Sequence, residues 1–156
     1  TGLLGKKGIA RKAMKECYKA YERSLRYWPD NTMVLNNYAY FLSLEGRDLE
    51  RALAMAGRAI VLEENNPTYL DTYAWVLYRL GRYDEAKKTM QQALSLDRSQ
   101  SPDLQLHYGD ILAALGEKFM AEVYWKKALE GGYDDPDAIV ERFRRLKEAA
   151  QTPAAP

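Results

Sequence analysis

A helical repeat of about 34 residues constrains this chain more than any other feature. The segments GRDLERALAMAGRAIVLEENNP (46–67), GRYDEAKKTMQQALSLDRSQSP (81–102) and GEKFMAEVYWKKALEGG (116–132) align with one another. Ala52, Ala86 and Ala121 lie 34 and 35 residues apart, and Ala59, Ala93 and Ala128 repeat that spacing. Gly46, Gly81 and Gly116 fall 35 and 35 apart. Self-similarity at such a period indicates stacked supersecondary units, not a closed globule. Arrays of this kind present extended binding surfaces and rarely perform chemistry.

The period is helical. No segment sustains two-residue alternation, so no sheet is expected. Residues 8–27 carry Ile9, Ala13, Cys17, Tyr21, Leu25 and Trp28 at steps of four and three, one face of a helix ended by Pro29. Further helices are expected at about 33–44, 48–62, 68–80, 84–96, 102–115, 118–130 and 136–149. Asn66-Pro67, Ser101-Pro102 and Asp135-Pro136 each set a capping side chain before a proline at the first helical position, where the missing N–H costs nothing. Gly46, Gly81 and Gly116 stand where the first helix of each pair stops, and glycine tolerates the left-handed closing conformation. The tail Gln151–Pro156 lacks apolar periodicity and is expected to be disordered.

Composition excludes several classes. With 23 basic and 22 acidic side chains the net charge is +1, giving no global attraction to nucleic acid or an anionic membrane. The balance hides an asymmetry. Residues 1–28 hold Lys6, Lys7, Arg11, Lys12, Lys15, Lys19, Arg23 and Arg26 against only Glu16 and Glu22. That end reads first as a solvated helix face and second as an anion-binding patch. The single cysteine, Cys17, permits no intrachain disulfide and is expected to be buried and inert. No run approaches the length of a membrane span, and none has a signal-peptide pattern. A start at Thr1-Gly2 is that of a processed or cut chain, so compartment is not legible.

No catalytic constellation emerges. His107 is the only histidine, so a multi-histidine metal site is impossible, and a packed or groove-facing imidazole is the expected reading. Gly2, Gly5 and Gly8 with Lys6 and Lys7 resemble a phosphate loop only faintly, since the following Ser or Thr and the preceding strand are missing. Asp84-Glu85 and Asp134-Asp135 sit at helix starts and complement the helix dipole. No cofactor is expected. Tyr38, Tyr73 and Tyr108 recur 35 residues apart, a periodicity of core packing, so nucleic acid is not expected as a partner.

The array resembles the tetratricopeptide repeat family, whose units are antiparallel pairs of helices, A and B. Leu70, Tyr73, Ala74, Leu77, Gly81, Ala86, Met90 and Ala93 stand at its signature positions in the unit at 67–98. Tyr108, Gly109, Leu112, Gly116, Ala121, Trp125 and Ala128 do so at 102–132, and Leu35, Tyr38, Ala39, Leu42, Gly46, Ala52, Ala56 and Ala59 at 32–66. Residues 14–31 look like the second half of another unit, with no recognisable helix A before them. Glu64 and Arg98 replace the closing proline of the repeat.

The resemblance implies an all-α, right-handed superhelical solenoid of antiparallel helix pairs, with about three full repeats, an N-terminal half repeat and a C-terminal capping helix. The expected divisions are 1–31, 32–66, 67–101, 102–132, 133–150 and the tail 151–156. The small residues permit axes to approach to roughly 8–10 Å at each crossing.

In this family, ligands usually lie in the concave groove lined by helix A. Its groove-facing positions here hold Met33, Asn36, Asn37, Tyr40 and Leu44; then Asp71, Thr72, Trp75, Tyr78 and Arg79; then Leu106, His107 and Asp110. Amphipathic aromatics and Arg dominate interface energies, and Asn36 and Asn37 are placed to bond a peptide backbone. Trp75 and Tyr40 are equally suited to packing on the neighbouring helix A. The family's carboxylate clamp needs Lys or Arg with Asn, whereas Asn36, Tyr40, Thr72, Asp103 and His107 occupy those positions, so that ligand is not expected. An asparagine ladder, as in some glycosyltransferase repeat domains, is broken by Thr72 and His107.

The leading expectation is therefore a non-catalytic scaffold holding an extended peptide or a partner helix. One alternative is self-association through residues 8–28, where Tyr18, Tyr21 and Leu25 are expected to lie uncovered. The other is a regulatory arm of a larger enzyme such as a glycosyltransferase.

Overall fold

A computed structural model describes residues 2–152, with side chains from residue 10 onward. The described residues form eight helices: α1 (Gly2–Tyr27), α2 (Thr32–Glu45), α3 (Leu49–Leu62), α4 (Pro67–Arg79), α5 (Tyr83–Leu96), α6 (Pro102–Ala114), α7 (Lys118–Glu130) and α8 (Pro136–Gln151). Helices α2–α3, α4–α5 and α6–α7 pack as pairs, α3 leans on α4, and α5 leans on α6. The first helix of each pair also touches the first helix of the next, so α2, α4 and α6 form a continuous row. The architecture is an all-α helical repeat solenoid.

The expected punctuation holds with one exception. Asn31 Oδ1 accepts from the Val34 amide at 3.3 Å, Asn66 Oδ1 from Thr68 and Tyr69 at 3.0 and 3.2 Å, and Asp135 Oδ1 from Ala138 at 3.2 Å. Ser101 makes no side-chain cap. Its own amide is held by Asp97 Oδ2 at 2.7 Å, so Asp97 organises that turn instead. Gly46, Gly81 and Gly116 have φ of +69°, +80° and +79°, the left-handed closure that a Cβ would strain.

The repeated alanines Ala52, Ala59, Ala86, Ala93, Ala121 and Ala128 are fully buried. A second set of positions varies in compensating sizes. Gly109 and Trp125 meet so closely that a Cβ on Gly109 would stand 2.4 Å from the indole. The equivalent positions hold Ala74 with Met90 and Ala39 with Ala56, all buried. As one member grows from Ala to Met to Trp, the other stays small or loses its side chain, which keeps interior density constant.

Two corrections concern α1. Tyr18, Tyr21 and Leu25 are not left uncovered. Tyr18 is buried and stacks on Tyr38 with ring centres 5.2 Å apart, Tyr21 lies 5.4 Å from Tyr38 and 6.5 Å from Phe41, and Leu25 joins the same apolar cluster. Although no preceding helix A is recognisable, α1 docks its aromatic face on α2. Burial, with help from Cys17, pushes the Tyr21 hydroxyl up to about 12. Cys17 is half-buried, not buried, and Trp28 is exposed because the helix ends at Tyr27 and the chain turns away. The segment Gly2–Gly8 is helical, so its glycines shape no phosphate-binding loop.

Helix α8 closes the other end. Ile139 is fully buried with Phe143 and Leu146 packed nearby, while Arg144 pairs with Glu141 and Glu148 on the solvent side. Of the expected disordered tail, Gln151 completes α8, and residues 153–156 lie outside the described residues. No helix among the described residues is long and apolar enough to cross a membrane.

Candidate peptide groove

The row of α2, α4 and α6 opens a cleft of about 360 Å³. Asn36, Asn37 and Tyr40 enter it from α2, and Thr68, Asp71 and Thr72 from α4. Ser101 precedes α6, which contributes Asp103, Leu104 and His107. Six of the ten polar, charged and aromatic residues expected in the groove (Asn36, Asn37, Tyr40, Asp71, Thr72 and His107) thus line one cleft. They share it because corresponding turns of successive helices stand side by side, one repeat period apart.

The centre of this surface is preorganised. The His107 Nδ1 lies 2.7 Å from Asp71 Oδ1, and a carboxylate only accepts, so the proton sits on Nδ1. The His107 ring stacks on Trp75 at 4.2 Å, and Trp75 stacks in turn on Tyr78 at 4.6 Å. Burial pulls the His107 pKa down, but Asp71, Asp110 and Asp103 outweigh it and leave the pKa raised. Thr72 Oγ1 donates back to the Thr68 carbonyl at 3.3 Å. Asn36 is only 6 % exposed; its Nδ2 donates to Asn37 Oδ1 at 3.4 Å, and its Oδ1 makes no hydrogen bond within the protein. The Tyr40 hydroxyl is pushed up by burial and then by Asp71 and Asp103, with Tyr133 and Asp134 also contributing.

The other four residues take different places. Trp75 is the middle ring of the stack, and its buried Nε1 has no partner within the protein. Arg79 turns away toward the preceding unit and donates from Nε to the Ser43 carbonyl at 2.9 Å. Tyr78 and Asp110 line a second opening, shared with Arg142 and Arg145 of α8. Asp110 is buried there and accepts three bonds: Trp125 Nε1 at 2.9 Å, Arg142 Nε at 2.7 Å and Arg142 Nη2 at 2.9 Å. Arg142 went unnoticed as a partner because α8 falls outside the repeat register. A signal was present in its spacing: Arg142 lies three residues after Ile139, on the flank of the apolar face of α8.

The arrangement offers hydrogen bonds, aromatic surface and negative charge. Among the described residues, no group of three or more His, Cys, Asp or Glu is placed to hold a metal ion. Of the expected groove set, Met33 and Leu44 are exposed, and Leu106 is buried in the core.

Comparison with known proteins agrees with this architecture. Residues 67–99 match the tetratricopeptide repeat family. A stretch of 93 residues, 57% of this chain, is 30% identical to the TPR repeat-containing protein PA4667 of Pseudomonas aeruginosa, and the match covers 15% of that protein. The first TPR domain of human RPAP3 superposes with a TM-score of 0.67 at 19% identity, covering 79% of this chain and 94% of that one. The type III secretion translocator chaperone SycD of Yersinia enterocolitica gives 0.65 at 19% identity, covering 79% and 96%. The first TPR of RPAP3 solved with an HSP90 peptide, SRMEEVD, gives 0.65 at 18% identity, covering 78% and 94%. At such identities these structures speak for the fold alone. Residues 67–99 thus match a tetratricopeptide repeat, and the hinge glycines and buried alanines carry the same helical-pair fold across the described residues.

Proposed function

We propose that this chain is a non-catalytic interaction scaffold that holds an extended peptide segment in the cleft formed by α2, α4 and α6. One observation carries the reading: three successive units contribute to a single cleft whose floor is polar and whose His107 is held in place by Asp71 and Trp75. A peptide backbone presents a donor and an acceptor at every residue. Asn36, Asn37 and Thr72 offer side chains of matching kind. A floor fixed by the Asp71–His107 bond loses little conformational freedom on binding.

A neighbour of the same fold, the first TPR of RPAP3, was solved bound to the HSP90 peptide SRMEEVD. Its acidic side chains would here meet Asp71 and Asp103, so a different peptide chemistry is called for. Self-association through residues 8–28 is the second reading, with less to support it, because Tyr18 is buried and Tyr21 and Leu25 are half-buried against α2.

The test is retention of peptides from an immobilised library of acetylated hexapeptide amides. The wild-type chain is expected to hold a subset, and Asn37→Ala/Tyr40→Ala to hold none at unchanged helicity. Equal retention by the folded variant would move the site off this cleft.

A further inference from the structure

The acceptors of the cleft also define the chemistry of what it takes, provided that the cleft is a peptide groove as proposed above. Its lining contains no Lys or Arg. Its one basic side chain, His107, has its Nδ1 proton committed to Asp71. Asp103 is exposed and belongs to none of the ion pairs among the described residues. The buried Asn36 adds an acceptor, Oδ1, that makes no hydrogen bond within the protein. An amide oxygen buried to this degree is costly to leave without a donor. Its Nδ2 is turned to Asn37, and the oxygen meets a ligand only when the Asn36 side chain turns toward the opening. Negative charge extends beyond the lining, since Tyr40 also feels Asp134.

We infer that the cleft selects an extended segment bearing a lysine or arginine, whose N–H donors pair with the Asp103 carboxylate in the opening that Asn36 also lines. A cationic side chain brings several donors and no acceptor, which suits a site holding an unpaired carboxylate. A glutamate or aspartate in that place would add like charge. The strongly basic face of α1 makes the contrast internal. Lys15, Lys19, Arg23 and Arg26 line a separate opening together with Glu22, Tyr18 and Arg47, away from the cleft.

The hexapeptide library decides the matter when bound peptides are read by composition. Wild type is expected to retain peptides enriched severalfold in Lys and Arg over Asp and Glu, and to lose them as salt rises. Asp103→Asn, an exposed change that leaves packing untouched, should weaken the retained basic peptides by about three- to tenfold, and Asp103→Glu should restore much of the affinity. Retention of neutral or acidic peptides, or basic selection unchanged in Asp103→Asn, overturns the inference while leaving the peptide groove standing. Retention of no peptide by wild type overturns both.

Discussion

The two ends of the array are closed by different physics. At the N-terminal end, α1 lies on α2 through stacked tyrosines, and its polar contacts are partly exposed. Tyr38 Oη donates to Glu22 at 2.8 Å, Arg51 pairs with Glu22, and Arg58 holds Asp30 through two bonds of 2.9 Å. At the C-terminal end, α8 is fastened by a buried carboxylate. Asp110 receives the Arg142 guanidinium and the Trp125 indole N–H together. Exposed pairs contribute little because water competes for them, whereas a buried charge stripped of its partner is heavily penalised. One end therefore rests on aromatic area, and the other on a charge that cannot be left alone.

The largest break in that contrast is expected from Arg142→Ala. It should destabilise by about 3 kcal/mol in urea melts, because Asp110 then keeps only the Trp125 bond. A loss below about 1 kcal/mol, the range of exposed pairs, would erase the distinction between the ends. Gly109→Ala should follow at about 1–3 kcal/mol, since the new Cβ meets an indole fixed by Asp110. Trp125→Met in the same chain should recover part of that loss, a coupling that a double-mutant cycle measures. Ala86→Leu or Ala121→Leu, at fully buried positions, should cost a similar or smaller amount, about 1–3 kcal/mol. An unchanged melt would remove those residues from the helix crossing.

A smaller effect depends on pH. His107 has a raised pKa in the fold, so the folded state holds its proton more tightly than the unfolded chain. The stability this contributes is fully present below the unfolded value of about 6.5 and is lost as pH rises through the folded value. Asp71, Asp103 and Asp110 are the groups that face it. The stability difference between wild type and His107→Gln should therefore shrink from pH 5.5 to pH 8.5; a difference growing across that range would reverse the assignment. The smallest change is expected at the N-terminal end. Glu22→Gln removes a half-exposed charge and should shift stability by less than about 1 kcal/mol.

The helices were legible because their determinants are local or periodic. Proline at the first helical position, glycine at the hinge and alanine at the crossing each act within a few residues, and their repetition at 34 to 35 makes them mutually confirming. The placement of Asn36, Thr72 and His107 on corresponding turns followed from the same period. The Asp71–His107 bond did not, because it joins positions 36 apart and depends on a ring turning sideways toward the neighbouring helix. Asp110 was harder still. Its repeat equivalents are Tyr40 and Trp75, so the period implied a groove aromatic, and the reason for a carboxylate lies in Arg142 on a helix outside the register. The covering of Tyr18 and Tyr21 by α2 was missed through the assumption that a helix without its own partner must remain bare.

Arg79 has a consequence for how such units combine. Its guanidinium reaches back across the boundary to the Ser43 carbonyl, and a Cβ on Gly46 would stand 2.8 Å from one of its nitrogens. The unit beginning at Pro67 thus carries a key cut for the hairpin before it, one that ends in a bare glycine with an open carbonyl. Repeats of this array are not interchangeable blocks. A graft that places residues 67–101 behind a hairpin closed by a side-chain-bearing residue would shift the Arg79 guanidinium off the Ser43 carbonyl, so modular rebuilding keeps this contact only where units 32–66 and 67–101 are exchanged as a pair.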